Sequence, residues 1–166
     1  MNLDQSIAII STSILLATAI IYLFQWREMK KSASLQEKTA ILQVFNSILQ
    51  ILQQENVRSA RRNLIQNSNP TFEQWTPEQI HDAEIACGTF DAVAIILRKT
   101  NIDYKMVASE WTDTIIRCWE HAKPMINAYR KRSGSNYWDD YEWLYNNTVK
   151  LSDSVTQSVG KHRLSW

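Results

Sequence analysis

The chain has 166 residues, of which 45% are hydrophobic and 21% charged, and a formal net charge of +1. That balance supplies no strongly basic face, so nucleic acid is not expected as a partner, and the size suits one domain of ordinary dimensions. Three glycines, three prolines and no alternating apolar run predict an all-α chain.

From Gln5 to Trp26 no residue is charged, and Arg27, Glu28, Lys30 and Lys31 follow at once. About twenty residues at ~1.5 Å rise cover a hydrocarbon layer of about 30 Å, so this run is expected to form one membrane-spanning helix. Tyr22 and Trp26 fall where an interfacial aromatic belt lies, with Arg27, Lys30 and Lys31 as the basic anchors beyond it. Met1 to Ser6 carry no Lys or Arg and one acid, Asp4. The positive-inside rule then places a short N-terminus outside the cell membrane and the chain from Arg27 onward in the cytoplasm, with the bilayer as a partner. A cleaved signal peptide is the main rival, because Ala17-Thr18-Ala19 imitates a cleavage site, but the basic start of such a peptide is missing. Three segments follow: residues 1–31 as tail, span and basic flank, 32–159 as a cytoplasmic helical domain, and 160–166 as a frayed tail.

Ser32-Ala33-Ser34 is the softest point after the span, and Ser34 with Glu37 fits a capping box, so a second helix is expected there, fresh or as a bent continuation. Its apolar face, Leu35, Ile41, Leu42, Val44, Phe45, Ile48, Leu49, Ile51 and Leu52, is wider than a narrow seam and calls for burial on two sides, with coiled-coil dimerisation through Ile41, Val44, Ile48 and Ile51 as the alternative to core packing. Glu55 to Gln66 follows as a short helix with Val57, Ala60, Leu64 and Ile65 inward and Arg58, Arg61 and Arg62 elsewhere. Thr76-Pro77-Glu78-Gln79 is the clearest helix start, with an N-cap threonine, proline at the first position and glutamine at the third. That helix is expected to reach Arg98, with Ile80, Ala83, Cys87, Phe90, Ala94 and Leu97 on its main face. A turn ending in Asp103 precedes a helix carrying Val107, Trp111, Ile115, Cys118, Ala122, Ile126 and Tyr129, which Pro124 is expected to kink or split. Ser133-Gly134-Ser135-Asn136 breaks the chain before a last helix from Tyr137 to about Ser158. The expected architecture is one N-terminal transmembrane helix followed by a cytoplasmic helical bundle of about five helices.

Several constellations invite a chemical reading. Glu78 and His81 share a helix face as in carboxylate-bridged metal sites, which need two such pairs and further carboxylates. Cys118 and His121 have a zinc-like spacing, and Cys87 with His81 would have to complete the set; buried thiols in a reducing cytosol explain both cysteines more simply. Arg117 and His121 lie one turn apart, a departure from the spacing of small all-helical ribonucleases. No nucleophile with a matched base, phosphate-cradling glycine loop or dinucleotide fingerprint occurs, so no catalytic residue, cofactor or metal is assigned.

Asp91 lies at the edge of an apolar helix face and, if buried, requires a partner. Arg61, Arg62 and Arg117 are the candidates for a structural ion pair. Trp138, Tyr141 and Tyr145, spaced by three and four beside Asp139, Asp140 and Glu142, are candidates for an aromatic–acidic surface that meets a protein partner.

The N-terminal span together with NVRSARRNLI, GTFDAVAIIL, IIRCWEHAKPMINAYRKR and YWDDYEWL resembles an uncharacterised prokaryotic family of single-pass membrane proteins with a cytoplasmic helical domain. The resemblance implies the same architecture and a bacterial or archaeal host. It brings no activity, so Arg61, Asp91, Arg117, Trp119 and Glu142, which stand in the matching motifs, receive no role from it. The function expected is a membrane-anchored interaction module, a scaffold or sensor without catalysis, that meets a protein partner or a second copy. The alternatives are a small helical hydrolase, ribonuclease-like or metal-dependent, and an effector that assembles through its span, where Ser11, Thr12, Ser13, Ala17 and Ala19 would allow close approach.

Overall fold

Residues 3–68, 71–100, 102–134 and 136–163 are described by the computed structural model, with side chains from Leu15 to Ser154 except at Ala17. Five α-helices and one short 3₁₀ turn make up the described chain, and no strand occurs among these residues. They are α1 (Leu3–Gln53), α2 (Glu55–Asn67), α3 (Pro77–Lys99), α4 (Lys105–Ser133) and α5 (Asp139–Arg163), with the 3₁₀ turn at Phe72–Gln74. The chain divides into two units, Met1–Val44 and Phe45–Trp166.

The first unit is helical throughout its described length. The second helix expected at Ser34 is absent as a separate element, because α1 runs through Ser32-Ala33-Ser34 without interruption. A cap requires the backbone to leave helical geometry, and neither glycine nor proline forces it to do so here. Thr39 donates its hydroxyl to the carbonyl of Leu35 inside the same helix. Among the described residues no helix is long and apolar enough to cross a membrane. The first half of the apolar run, with Ser11, Thr12, Ser13 and Ala17, has side chains that lie outside the described residues. The expected tail begins inside α5 at Gly160, and its last three residues also lie outside them.

In the second unit, Ile48 and Leu52 of α1 are fully buried, and the core continues through Val57, Ala60 and Leu64 of α2. The main face expected for α3 is buried at Ala83, Cys87, Phe90, Ala94 and Leu97, and only Ile80 is half-exposed. Its start is a full capping box: the Gln79 N–H donates to Thr76 Oγ1 at 3.3 Å and the Thr76 N–H to Gln79 Oε1 at 2.9 Å. Asp103 Oδ1 accepts from the Lys105 N–H at 3.0 Å at the start of α4.

Pro124 does not split α4. It removes one backbone donor, yet Ala122, Met125 and Ile126 around it are buried, and that packing holds the helix on both sides of it. Helix α4 ends at Gly134, whose φ of 105° lies where only glycine is unstrained. Trp138 also has a positive φ, 57°, which costs a bulky residue energy. Its ring is held by stacking on Tyr129 (centroids 5.6 Å) and by the edge of Tyr137 (4.7 Å).

Candidate functional site

Asp91 is paired with an amide, not with an arginine. Its carboxylate accepts the Tyr141 N–H at 2.9 Å, so α3 caps the N-terminus of α5, where unsatisfied amides and the helix dipole favour a negative charge. This corrects the ion pair expected with Arg61, Arg62 or Arg117. Arg62 is exposed, and Arg117, also exposed, pairs with Asp113 one turn away at 3.6 Å. A helix terminus offers a carboxylate its hydrogen bonds without burying a second charge, and it stands closer to Asp91 in the fold than those guanidinium groups do.

Burial raises the Asp91 carboxyl above its ordinary value of 3.8; the Tyr141 amide opposes the rise and the neighbouring Asp140 adds to it. The folded chain therefore holds this proton more tightly than the unfolded chain. The group's contribution to stability falls as pH rises through the window above 3.8. Asp91→Asn keeps an acceptor for the amide and removes the charge, so it is expected to flatten the stability–pH slope in that window. Urea-unfolding midpoints taken upward from pH 3.8 check this, and an unchanged slope would exclude Asp91 as its source.

The first turn of α5 is also held by two arginines that the sequence reading passed over. Arg130 donates to Tyr137 O at 3.0 Å and pairs with Glu142 at 2.8 Å and Asp139 at 3.4 Å. Arg98 of α3 pairs with Asp140 and lies 5.7 Å from the Trp143 ring centroid. The available signal was three acids in one first turn, Asp139, Asp140 and Glu142, which attract basic residues from the ends of neighbouring helices.

Beneath this cap runs an aromatic column. Tyr141 stacks on Phe90 (5.1 Å) and meets the edge of Trp119 (5.0 Å), and Trp119 stacks on Tyr145 (5.3 Å). Tyr141 is 0% exposed and donates its hydroxyl to Ile115 O at 2.9 Å. That corrects its placement on a partner surface: the ring faces α3 and α4, and burial pushes its phenol well above the usual range. Tyr145 is half-buried, and its hydroxyl donates to Glu120, a bond that with burial pushes the phenol up to about 12. Trp138 is half-buried against Tyr129, whose own hydroxyl donates to Glu84 at 2.7 Å.

Arg61 is the least expected member of the core. It is 5% exposed, its guanidinium carbon lies 4.7 Å from the Trp111 ring centroid and 5.7 Å from that of Phe90, and its Nη1 is buried without a hydrogen-bond partner. The helical wheel accounts for its position, since Val57, Ala60, Arg61 and Leu64 form one stripe and all four are buried. Cation–π contact of a desolvated guanidinium returns about 2 kcal/mol. An unmade buried hydrogen bond to a charged group costs at least as much, so the aromatic rings alone leave the site short. Desolvation lowers the Arg61 pKa from its ordinary value. The nearby Cys118 thiol is pushed up to about 12 by burial, against the pull of Arg61, and Cys87 is raised well above its ordinary value. Both cysteines are buried free thiols and stay protonated near neutral pH.

The residues weighed for metal or nucleolytic chemistry are dispersed. Glu78 and His81 are exposed at the start of α3, and His121 Nδ1 lies 2.7 Å from Ser68 Oγ. Among the described residues no group of three His, Cys, Asp or Glu side chains could hold a metal ion. Tyr22, Trp26, Arg27, Lys30 and Lys31 are exposed on α1, with Lys30 Nζ 3.8 Å from the Trp26 ring centroid.

These features define an all-α protein whose helices enclose a buried arginine–aromatic cluster and whose helix α5 is capped by Asp91 of α3. Within that class the chain belongs to the family described as a domain of unknown function (DUF4760), which matches residues 7–148. No curated protein and no solved structure matches the chain.

Proposed function

We propose that the chain is a membrane-tethered helical interaction module, a scaffold or sensor without catalysis, with a short N-terminus outside the cell membrane of a prokaryote and its helical domain in the cytoplasm. The observation that carries this reading is the exposure of large apolar side chains along α1: Leu15 68%, Leu16 67%, Ile21 56%, Leu23 60% and Phe24 64%. A continuous apolar surface of that kind is unfavourable in water and favourable in hydrocarbon. The basic flank Arg27, Lys30 and Lys31 supports the orientation, since each positive charge near an anionic inner leaflet gains about 1 kcal/mol. The family match begins at residue 7, inside the apolar run, which makes the run part of the family's pattern. The helical domain would then present its surface to a protein partner or to a second copy, with Tyr137 and Trp138 as its partly exposed aromatic edge.

Flotation of the full chain with phosphatidylcholine vesicles tests the tether, and the expected result is co-flotation that survives alkaline carbonate. A chain that stays dissolved without detergent overturns it. Orientation is read separately in intact cells, where a cysteine introduced as Asn2→Cys is expected to react with an impermeant maleimide. Labelling of that position only after the cells are opened would reverse the topology.

A further inference from the structure

Arg61 has the chemistry of a receptor whose counter-charge the chain does not supply. The six ion pairs among the described residues use Arg58, Arg98, Arg117, Lys123 and Arg130, and Arg61 takes part in none of them. Asp91 is engaged by the Tyr141 amide. The Arg61 Nη1 donors are buried and unpartnered among the described residues. A guanidinium taken out of water without an anion or acceptor is a costly arrangement, and an unsatisfied buried donor of this kind marks a place where an ion or ligand completes the site. Its planar fork suits a carboxylate or a phosphate, which it binds through two parallel hydrogen bonds.

One wall of the Arg61 surroundings is shared with an open cleft. Trp111, 4.7 Å from the guanidinium, also lines a cleft of about 650 Å³ between the end of α1 and the first half of α4. Phe45, Leu49, Met106 and Trp111 are the apolar half of its lining, and the other half is polar and includes the exposed carboxylate of Glu110. Small-molecule sites combine apolar lining with polar groups that fix orientation. The cleft and the unpartnered cation meet at one indole ring, so a single molecule could satisfy both.

We propose that Arg61 is the head-group receptor of a site for a small anion with an apolar body, a short-chain carboxylate or the phosphate end of a lipid, whose apolar part occupies the cleft beside Trp111. The Trp111 indole is the element that must shift to let the head group reach Nη1. The site is built on the second unit alone, so it stands or falls independently of whether α1 crosses a bilayer.

The test uses the full chain in a non-ionic detergent and follows thermal unfolding. Hexanoate probes a free carboxylate, with hexanol as the uncharged control. Dihexanoyl phosphatidylglycerol probes a lipid phosphate, with dihexanoyl phosphatidylcholine as the zwitterionic control. A ligand that binds the folded state alone raises the unfolding temperature in proportion to its saturation. The expected result is stabilisation by at least one anion over its control, with affinity lost by roughly tenfold or more in Arg61→Met, which removes the charge-assisted hydrogen bonds to the head group. A response to hexanoate identifies a soluble carboxylate as the ligand class, and a response confined to phosphatidylglycerol identifies a lipid. Equal responses to anion and control in the native chain overturn the proposal, and they do so even if Arg61→Met fails to fold. Stabilisation that persists unchanged in a folded Arg61→Met chain overturns it as well.

Discussion

Tyr141→Ala is expected to lower the unfolding free energy by about 3–5 kcal/mol, the range for deleting a large aromatic side chain from a filled core. Tyr141 is among the largest fully buried side chains, and it ties α5 to two helices: to Phe90 on α3, and to Trp119 and, through its hydroxyl, the Ile115 carbonyl on α4. Two ring contacts add about 0.5–1.5 kcal/mol each beyond burial, so the loss should fall toward the upper end of that range. Tyr141→Phe keeps the ring and removes the hydroxyl, and about 1 kcal/mol is expected. Urea unfolding measures both, as a fall in the midpoint with an unchanged slope. An alanine variant no weaker than the phenylalanine variant would mean that the aromatic column does not hold α5 in place.

On the membrane reading proposed above, Leu16→Arg is expected to lower the equilibrium constant for insertion by about two to three orders of magnitude. Leucine near mid-membrane favours insertion by about 0.3–0.6 kcal/mol and arginine opposes it by about 2.5–3.5 kcal/mol. Their difference is comparable to the whole favourable sum of ten or so large apolar residues, so the substitution removes most of the margin. Leu42→Arg is the matched control: Leu42 is also an exposed leucine on α1, but it lies beyond the uncharged run. Vesicle flotation of the two variants beside the native chain reads the difference. Equal flotation of all three would show that the run from Gln5 to Trp26 contributes nothing to membrane binding.

The residues that were legible in advance were those whose behaviour is set by near neighbours in the chain. The Thr76–Gln79 capping box formed as its spacing predicts, because both partners lie within one turn and need no other element. The α3 face through Cys87, Phe90 and Leu97 was legible for the same reason, since a 3.6-residue period fixes which side chains share a side. No separate helix starts at Ser34 and Pro124 does not split α4, because a local preference for ending a helix is worth only a few kcal/mol at most, and continued helix or packed neighbours outweigh it.

The sequence by itself determined helical content, the order and approximate ends of α2 to α5, the uncharged N-terminal run with its basic flank, and the inward face of α3. Only the tertiary structure decided what each polar group meets: Asp91 on the Tyr141 amide, Arg130 and Arg98 on the first turn of α5, and Arg61 against Trp111 with Nη1 unpartnered. The reason is physical. Periodicity is a property of consecutive residues and survives in the linear string, whereas the partner of a charge depends on which helices pack side by side and in what register. Residues fifty positions apart, such as Asp91 and Tyr141, become neighbours only when that packing is complete.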